Sequence, residues 1–223
     1  MNRLYLFIIL FGSVVPLAIA ASAPSDCRDP KHVHKETKFC IYDISYPAIS
    51  NSKIECEVRK WIDKEAKDFD ADGDSLDLDI HRKNEFWITS DVFDSGKIES
   101  VVVENYQYAQ GANGSTDVKT FTFDIKTGHL YELFDVLDNR QDWFKSLRPF
   151  IIKKEDELDT VIRIDEENST SGIFKSFAID NGELILCFDQ EAVAAHSDGV
   201  VKIRIPLNQI KKVLKPPFDN LSK

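Results

Sequence analysis

The sequence lacks the short signatures that identify several large enzyme classes. It contains no G-x-S-x-G nucleophile elbow, no Walker phosphate-binding loop and no G-x-G-x-x-G dinucleotide fingerprint. None of its cysteines stands in a recognisable protease context. Carboxylates are abundant, but no pattern singles out the pair that a glycosidase requires. No local motif therefore assigns an enzymatic reaction, and we predict a protein that is not an enzyme.

The sequence also lacks a long apolar run beyond its first 20 residues. Residues 1–23 combine a basic start at Arg3, an apolar stretch and small residues up to Ala23, which is typical of a cleaved signal peptide. A transmembrane anchor is the alternative, but Gly12 and Pro16 interrupt a run already short for a span. We predict cleavage after Ala20 or Ala23, no membrane span after cleavage, and a periplasmic or secreted protein.

Basic residues are fewer than acidic residues in this chain. The chain has 38 acidic against 28 basic residues and a formal net charge of -10. Such a surface repels nucleic acid and anionic lipid and favours basic partners, so no nucleic-acid partner is expected. Hydrophobic residues make up 43% of the chain, which is too many for a disordered protein. The mature chain is long enough for one sizeable domain or two small ones.

Cysteine is scarce, and in an exported protein its first interpretation is disulfide bonding. Four cysteines allow three pairings, and the sequence does not choose among them: Cys27, Cys40, Cys56 and Cys187. Cys56 falls off the apolar face of the helix predicted below. A bridge from Cys56 to Cys40 or to Cys27 would attach the N-terminal segment to that helix. Free thiols are the alternative.

Hydrophobic periodicity predicts an α+β fold with a mainly antiparallel sheet and about three helices. An amphipathic helix is predicted from Ser52 to Phe69, with Asn51 or Ser52 as its cap, and a second helix from Asp142 to Ile152. Pro206 is expected to open a final helix. Strands are predicted at 39–45, 76–80, 85–92, 98–108, 117–125, 173–179, 183–188 and 200–205. Asn181-Gly182 suits a tight hairpin turn.

These elements predict a simple organisation. We expect a signal peptide at 1–23, an irregular segment at 24–38, a first α+β half at 39–114, a second half at 115–216 and a tail at 217–223. Residues 154–172 are charged and loosely patterned, which indicates a surface connection. No internal repeat or low-complexity tract is present.

An acidic stretch follows the first predicted helix and matches part of a calcium-loop pattern. Its carboxylates alternate before and after Gly73: Asp68, Asp70, Asp72, Asp74 and, at the twelfth place, Asp79. Calcium prefers six to eight oxygen ligands around a sharp turn. However, the twelfth residue is not Glu, and a strand rather than a helix is predicted next. The alternative is an acidic helix-to-strand turn. The sequence indicates no other cofactor.

Histidines offer two further candidates. His32-x-His34, between Cys27 and Cys40, could supply ligands to zinc or copper, but its spacing matches no zinc motif and surface histidines are the alternative. His196 has Ser197 and Asp198 beside it, which invites comparison with a catalytic triad. Triad groups must converge in space, so sequence neighbours give no support, and a loop is the preferred interpretation.

A glycine-containing loop after an aromatic strand end is the candidate ligand-binding segment. Its residues are Tyr106, Tyr108, Gln110, Gly111, Asn113 and Gly114. Two glycines with small neighbours indicate a tight loop or a backbone surface that a partner can approach closely. An ordinary strand-to-strand connection is the alternative.

At this loop and in several other segments the sequence resembles the extracellular domain family of the anti-sigma-V factor RsiV, a lysozyme sensor. A related module precedes the catalytic domain in some peptidoglycan deacetylases. The resemblance extends over residues 39–214. The segments that carry it are 44–47, 108–114, 124–128, 133–137, 188–195 and 199–207. The family pattern places Gly-Gly-Ala-His-Gly after a Tyr, and here Gln110 and Asn113 replace its first Gly and its His.

The resemblance implies a non-enzymatic binding module whose ligand is a lysozyme-like muramidase or a peptidoglycan fragment. An inhibitor, an immunity protein or a sensor would be specific versions. It does not carry over the role of the replaced His. Two alternatives remain: an enzyme acting on peptidoglycan, and a structural domain stabilised by calcium.

Overall fold

The computed structural model describes residues 31–73, 82–138, 140, 142–164 and 172–221, with only the backbone for 70–73. The predicted signal peptide and the predicted strand at 76–80 lie outside these residues. The elements are β1 (His32–Glu36), β2 (Cys40–Ser45), α1 (Ser52–Gly73), β3 (Asn84–Asp94), β4 (Ile98–Tyr108), β5 (Ser115–Asp124), α2 (Leu133–Val136), α3 (Trp143–Leu158), β6 (Ser176–Asp180), β7 (Glu183–Phe188) and β8 (Val201–Pro206).

The strands form two sheets. The first has five strands in the order β1-β2-β3-β4-β5, and the second has three in the order β6-β7-β8. All neighbours are antiparallel except β2 and β3, which are parallel because α1 carries the chain back between them. With three helices among the described residues, the predicted α+β class with a mainly antiparallel sheet is confirmed.

Helix α1 covers one face of the five-stranded sheet. Asn51 caps it, since its Oδ1 accepts hydrogen bonds from the backbone N–H groups of Lys53 (3.1 Å) and Ile54 (3.3 Å). The apolar stripe of the helix is fully buried at Ile54, Val58 and Ile62, against a core that includes Phe86, Ile88, Val101, Val103 and Phe123. Burial of each such side chain contributes about 1.5–3 kcal/mol. The alternate residues of β3 and β4 therefore point away from α1.

The second sheet covers part of that opposite face. Val102 and Val118 of the first sheet pack against Ala178, Ile185 and Cys187 of the second. Across the same boundary, Lys202 Nζ of β8 lies 2.6 Å from Glu104 Oε1 and 3.6 Å from Asp91 Oδ2. The remaining face of the second sheet packs on α3 through a core that includes Trp143, Leu147 and Ile151. The molecule is thus layered as α1, sheet, sheet, α3.

Several predicted boundaries need correction. The segment 24–38, predicted to be irregular, contains β1, an edge strand with no buried residue to give it an alternating pattern. Helix α3 continues through Pro149 to Leu158, and so takes in the start of the charged segment 154–172. The expected boundary between halves at 114/115 falls between β4 and β5, which pair along their whole length.

The chain after β8 also differs from expectation. Instead of a final helix, short 3-10 turns occupy Leu207–Gln209, Lys211–Val213 and Phe218–Asn220. Leu207, Ile210 and Val213 are buried at three-residue spacing, which fits three residues per turn as well as an α-helical stripe. The expected tail at 217–223 contains Phe218, which is fully buried.

None of the three ways of pairing all four cysteines is formed. Cys40 and Cys187 are buried free thiols, so neither Cys40–Cys56 nor any bridge to Cys187 is formed. Cys40 lies in the core under α1, and Cys187 lies between the two sheets. Cys56 is not a free thiol. Its remaining cysteine candidate, Cys27, lies outside the described residues, and the Cys27–Cys56 bridge stays a prediction.

Native protein is expected to resist thiol alkylation at about pH 8, because burial raises the pKa of Cys187 to about 12 and Cys40 is equally enclosed. Mass spectrometry after labelling the native and the denatured protein would check this. Denaturation without reductant should release the two thiols Cys40 and Cys187. Labelling of Cys56 under those conditions would contradict the predicted bridge.

Candidate functional site

The second sheet covers only part of the face of the first sheet that points away from α1, and the rest of that face is not covered by it. A single row of paired residues crosses it from β1 to β5. In register, His34 lies beside Asp43, Asp43 beside Trp87, Trp87 beside Tyr106 and Tyr106 beside Thr116. Paired residues point to the same side of a sheet. We call this row, His34, Asp43, Trp87, Tyr106 and Thr116, the open face.

Two aromatic side chains form the centre of the open face. The rings of Trp87 and Tyr106 have centroids 4.9 Å apart and planes inclined by 36°. Trp87 is 43% exposed, which is unusual for so large an apolar side chain. Its neighbours in the strand, Phe86 and Ile88, are buried. An exposed aromatic ring that already packs against a second ring has little side-chain entropy to lose on binding.

Tyr106 is positioned by the loop after β4. A Cβ atom added at Gly114 would lie 2.5 Å from the Cζ and hydroxyl oxygen of Tyr106, so the ring rests directly over this glycine. Glycine at this position thus has a definite role, which is to leave space for the ring.

Replacing Gly114 with alanine is expected to displace the Tyr106 ring and separate it from Trp87, because the new methyl group would occupy the ring's place. Near-ultraviolet circular dichroism and tryptophan fluorescence would report the loss of the stacked pair. Gly111→Ala is the matched control, since nothing lies within 4 Å of a Cβ there, although its φ of +156° adds some strain. Unchanged spectra for Gly114→Ala would contradict this arrangement.

An Arg–Glu pair borders the aromatic rings. The Arg82 guanidinium lies 4.1 Å from the ring centroid of Tyr108, and its Nε donates a 3.0 Å hydrogen bond to Glu85 Oε1. The hydrogen bond with Glu85 raises the pKa of Arg82. Glu85 Oε2 is buried and has no hydrogen-bond partner in the structure. The exposed part of this pair is therefore the Arg82 guanidinium, a cationic hydrogen-bond donor, whereas the Glu85 carboxylate beneath it holds it in place.

A histidine–aspartate group borders the other side. His34 Nδ1 lies 3.3 Å from Asp43 Oδ2, and His32 Nε2 lies 3.7 Å from Asp43 Oδ1. In the part of the chain that the structure describes, no three His, Cys, Asp or Glu residues are placed to hold a metal ion. Both histidines are exposed and face Asp43, which agrees with surface histidines.

The structure places the loop residues predicted to bind a ligand in two environments. Tyr106 is on the open face, and Asn113 is exposed in the loop after β4. Tyr108 is buried beneath Arg82, and its hydroxyl donates a 3.2 Å hydrogen bond to the Gly111 carbonyl. Gln110 has a φ of +56°, in the left-handed region. Tyr108 thus fixes the loop rather than presenting itself to a ligand.

The acidic stretch is described only in part. Asp68 is exposed in α1, where Lys64 Nζ lies 2.6 Å from its Oδ2. The helix includes Asp70 and Asp72 and ends at Gly73, whereas Asp74 and Asp79 lie outside the described residues. A helical backbone is not the turn that the first half of a calcium loop requires. Calcium binding stays an untested prediction.

His196 shows no triad geometry. Its Nδ1 lies 3.3 Å from Glu191 Oε1, while Asp198 accepts a 3.0 Å hydrogen bond from the backbone N–H of Ala195. The segment is a short 3-10 turn leading to β8, as the loop interpretation expected.

Three residues of this surface were not predicted from the sequence: Trp87, Asp43 and Arg82. Alternation along β3 carries a signal for Trp87: if Phe86 and Ile88 point inward, Trp87 must point outward, and an outward Trp is a candidate contact residue.

Comparisons with known proteins agree with this fold. Residues 135–208 match the model of a family described as "Protein of unknown function (DUF3298)". Over 190 residues, 82% of this chain, the sequence is 26% identical to the peptidoglycan-N-acetylmuramic acid deacetylase PdaC of Bacillus subtilis (strain 168). The match spans 40% of the length of that protein.

Two crystal structures extend the comparison to the whole fold. A DUF3298 family protein from Pseudomonas aeruginosa PAO1 has a TM-score of 0.63 at 13% identity, covering 86% of this chain and 98% of that one. A DUF3298 member from Bacteroides fragilis NCTC 9343 has a TM-score of 0.57 at 12% identity, covering 86% and 95%. The chain therefore has the fold of DUF3298 structures, and its residues 135–208 match the DUF3298 family model.

Proposed function

We propose that this chain is an exported, non-catalytic protein that binds a cell-wall ligand, and that the open face is its binding surface. The observation that carries the proposal is the exposed Trp87 ring, packed against the partly buried Tyr106 ring on neighbouring strands. Similarity to a protein named as a peptidoglycan-N-acetylmuramic acid deacetylase supports a role at the cell wall. No helix among the described residues is both long and apolar enough to cross a membrane.

The chemistry of the open face favours a peptidoglycan glycan as the ligand. The apolar C–H face of a sugar ring can pack on exposed aromatic rings, while hydroxyl groups need nearby acceptors and donors. Asp43 supplies carboxylate oxygens and Arg82 supplies N–H donors, on either side of the Trp87–Tyr106 pair.

A basic muramidase is the second candidate, favoured by the formal net charge of -10 and by the resemblance to the lysozyme-sensing family. A charge-complementary protein interface would weaken as salt is added, because screening shortens the range of the attraction. Stacking on a neutral sugar would change little with salt. Salt dependence therefore distinguishes the two ligands.

The test is binding of the purified chain, residues 24–223, to insoluble peptidoglycan, to soluble glycan fragments and to a panel of lysozymes across salt. We expect co-sedimentation with peptidoglycan that is nearly independent of salt. Salt-sensitive binding to lysozymes, without binding to peptidoglycan, would identify a muramidase rather than a glycan as the ligand. Absence of binding to all three would refute the proposal, and release of soluble fragments or acetate from the wall would indicate an enzyme instead.

A further inference from the structure

A concave site lies on the opposite side of the first sheet from the open face, between α1 and the edge of β5. It has a volume of about 300 Å³. We call it the β5 cleft and define it by Trp61, Glu65, Asn105, Asp117, Lys119 and Asp189. This volume is at the small end for ligand pockets and accommodates about one sugar ring. No predicted site includes this cleft.

The floor of the cleft contains a buried polar group without a partner. Asn105 is 2% exposed, lines the cleft, and has a carboxamide oxygen with no hydrogen bond in the structure. It stands in register with Ile88 on one side and Asp117 on the other, at the end of the core under α1. An apolar residue would fit that place without leaving an unpaired group. A buried unpaired oxygen is unfavourable unless a ligand completes it.

Asp117 adds a second free acceptor. Its carboxylate accepts no hydrogen bond from any residue that the structure describes, and it faces the same cleft. Although Asp117 is exposed, partial desolvation within the cleft and, second, the negative charge of Asp189 raise its pKa, whereas the positive charge of Lys175 opposes this shift. Asp189 is already engaged, since it accepts a 2.7 Å hydrogen bond from the backbone N–H of Val118 and lies 3.0 Å from Lys175 Nζ. Asn105 and Asp117 are thus the acceptors left for a ligand.

The charge balance selects the ligand chemistry. Three carboxylates at Glu65, Asp117 and Asp189 disfavour an anion, and one of the two lysines nearby is paired with Asp189. The described residues offer no three-residue group suited to a metal ion. A neutral ligand rich in hydroxyl donors matches the unpaired acceptors. Trp61, partly buried on Phe121 with ring centroids 6.2 Å apart, supplies an apolar wall.

We propose that the β5 cleft binds a single neutral sugar ring, whose hydroxyls donate to Asn105 and Asp117 and whose C–H face packs against Trp61. The Asn105 oxygen is buried as the side chain stands, and rotation about the terminal torsion, which is soft in Asn, turns it toward the ligand. This site does not depend on the open face, since the two lie on opposite faces of the sheet.

The test is an NMR titration of the chain with glucose and with N-acetylglucosamine. It follows the chemical shifts of the Trp61 indole N–H and of the backbone N–H groups of Asn105 and Asp117. Millimolar affinity is sufficient for detection, and saturating shifts confined to these residues are expected. Asn105→Leu and Asp117→Ala should each reduce the affinity at least about tenfold. Glu57→Ala, which removes an α1 carboxylate outside the cleft, is the matched control and should bind as the unaltered chain does.

Stability separates a ligand-binding role of Asn105 from a structural one. Replacing an unpaired buried polar group with an apolar one is expected to leave the melting temperature unchanged or raise it by about 2–4 °C. Loss of sugar binding with retained or increased melting temperature would support the proposal. Asp117→Ala, at an exposed position, tests it independently if Asn105→Leu folds poorly. Absence of sugar-induced shifts, or shifts that survive both substitutions, would overturn it.

Discussion

Replacing Phe218 with alanine is expected to destabilise the protein by about 3–5 kcal/mol, the range for a fully buried Phe that leaves a cavity. Phe218 is fully buried in the core between the second sheet and α3, and its ring meets Tyr131 edge-on with centroids 5.0 Å apart. The surrounding chain is also fixed, because the backbone N–H of Lys215 donates a 2.8 Å hydrogen bond to the Val136 carbonyl.

Chemical denaturation followed by far-ultraviolet circular dichroism would measure this loss. Phe39→Ala is the matched control, since Phe39 is 37% exposed and should cost no more than about 1 kcal/mol. A similarly small loss at Phe218 would mean that the segment after β8 is a dispensable tail.

Replacing Trp87 with alanine is expected to weaken binding of peptidoglycan glycans about 30-fold while leaving stability nearly unchanged. Truncation of a central aromatic contact costs about 2 kcal/mol in binding, which corresponds to that factor. The side chain is 43% exposed, so its removal leaves no cavity in the core. Tyr106 would lose its stacking partner, and the open face would lose its rigid centre.

Isothermal calorimetry with soluble glycan fragments, beside thermal unfolding, would check both parts. Trp87→Phe retains an aromatic ring and should keep most of the affinity. Val92→Ala, also on β3 and 39% exposed, controls for loss of an exposed apolar side chain. Equal affinities for Trp87→Ala and Val92→Ala would remove the open face from the proposed function.

Local periodicity predicts much of this fold. Helix α1, the β4 boundaries and the β6–β7 hairpin follow from the spacing of apolar residues and from Asn181-Gly182, because these patterns depend only on neighbours in sequence. Strand β1 has no such pattern, since no residue in it is buried. The charged end of α3 and the turns after β8 were likewise set by packing rather than by periodicity.

The candidate sites depend on contacts between strands distant in sequence, which explains why only part of them could be predicted. Tyr106 and Gly114 lie in one hairpin, and the sequence singled them out. Asp43 and Trp87 become neighbours only through the parallel pairing of β2 with β3. The free oxygen of Asn105 is visible only when its surroundings are known. Residue type shows what a side chain can donate or accept, but not whether it remains unpaired.

The alternation along β3 places a constraint on how this protein can diversify. Phe86 and Ile88 point toward α1, and Trp87 between them points to the open face. Insertion or deletion of one residue within β3 would exchange the two sets, exposing Phe86 and directing Trp87 into the core. New specificities on the open face should therefore arise by substitution at Glu85, Trp87 or Thr89, whereas changes of length should be confined to the hairpin loop between β4 and β5.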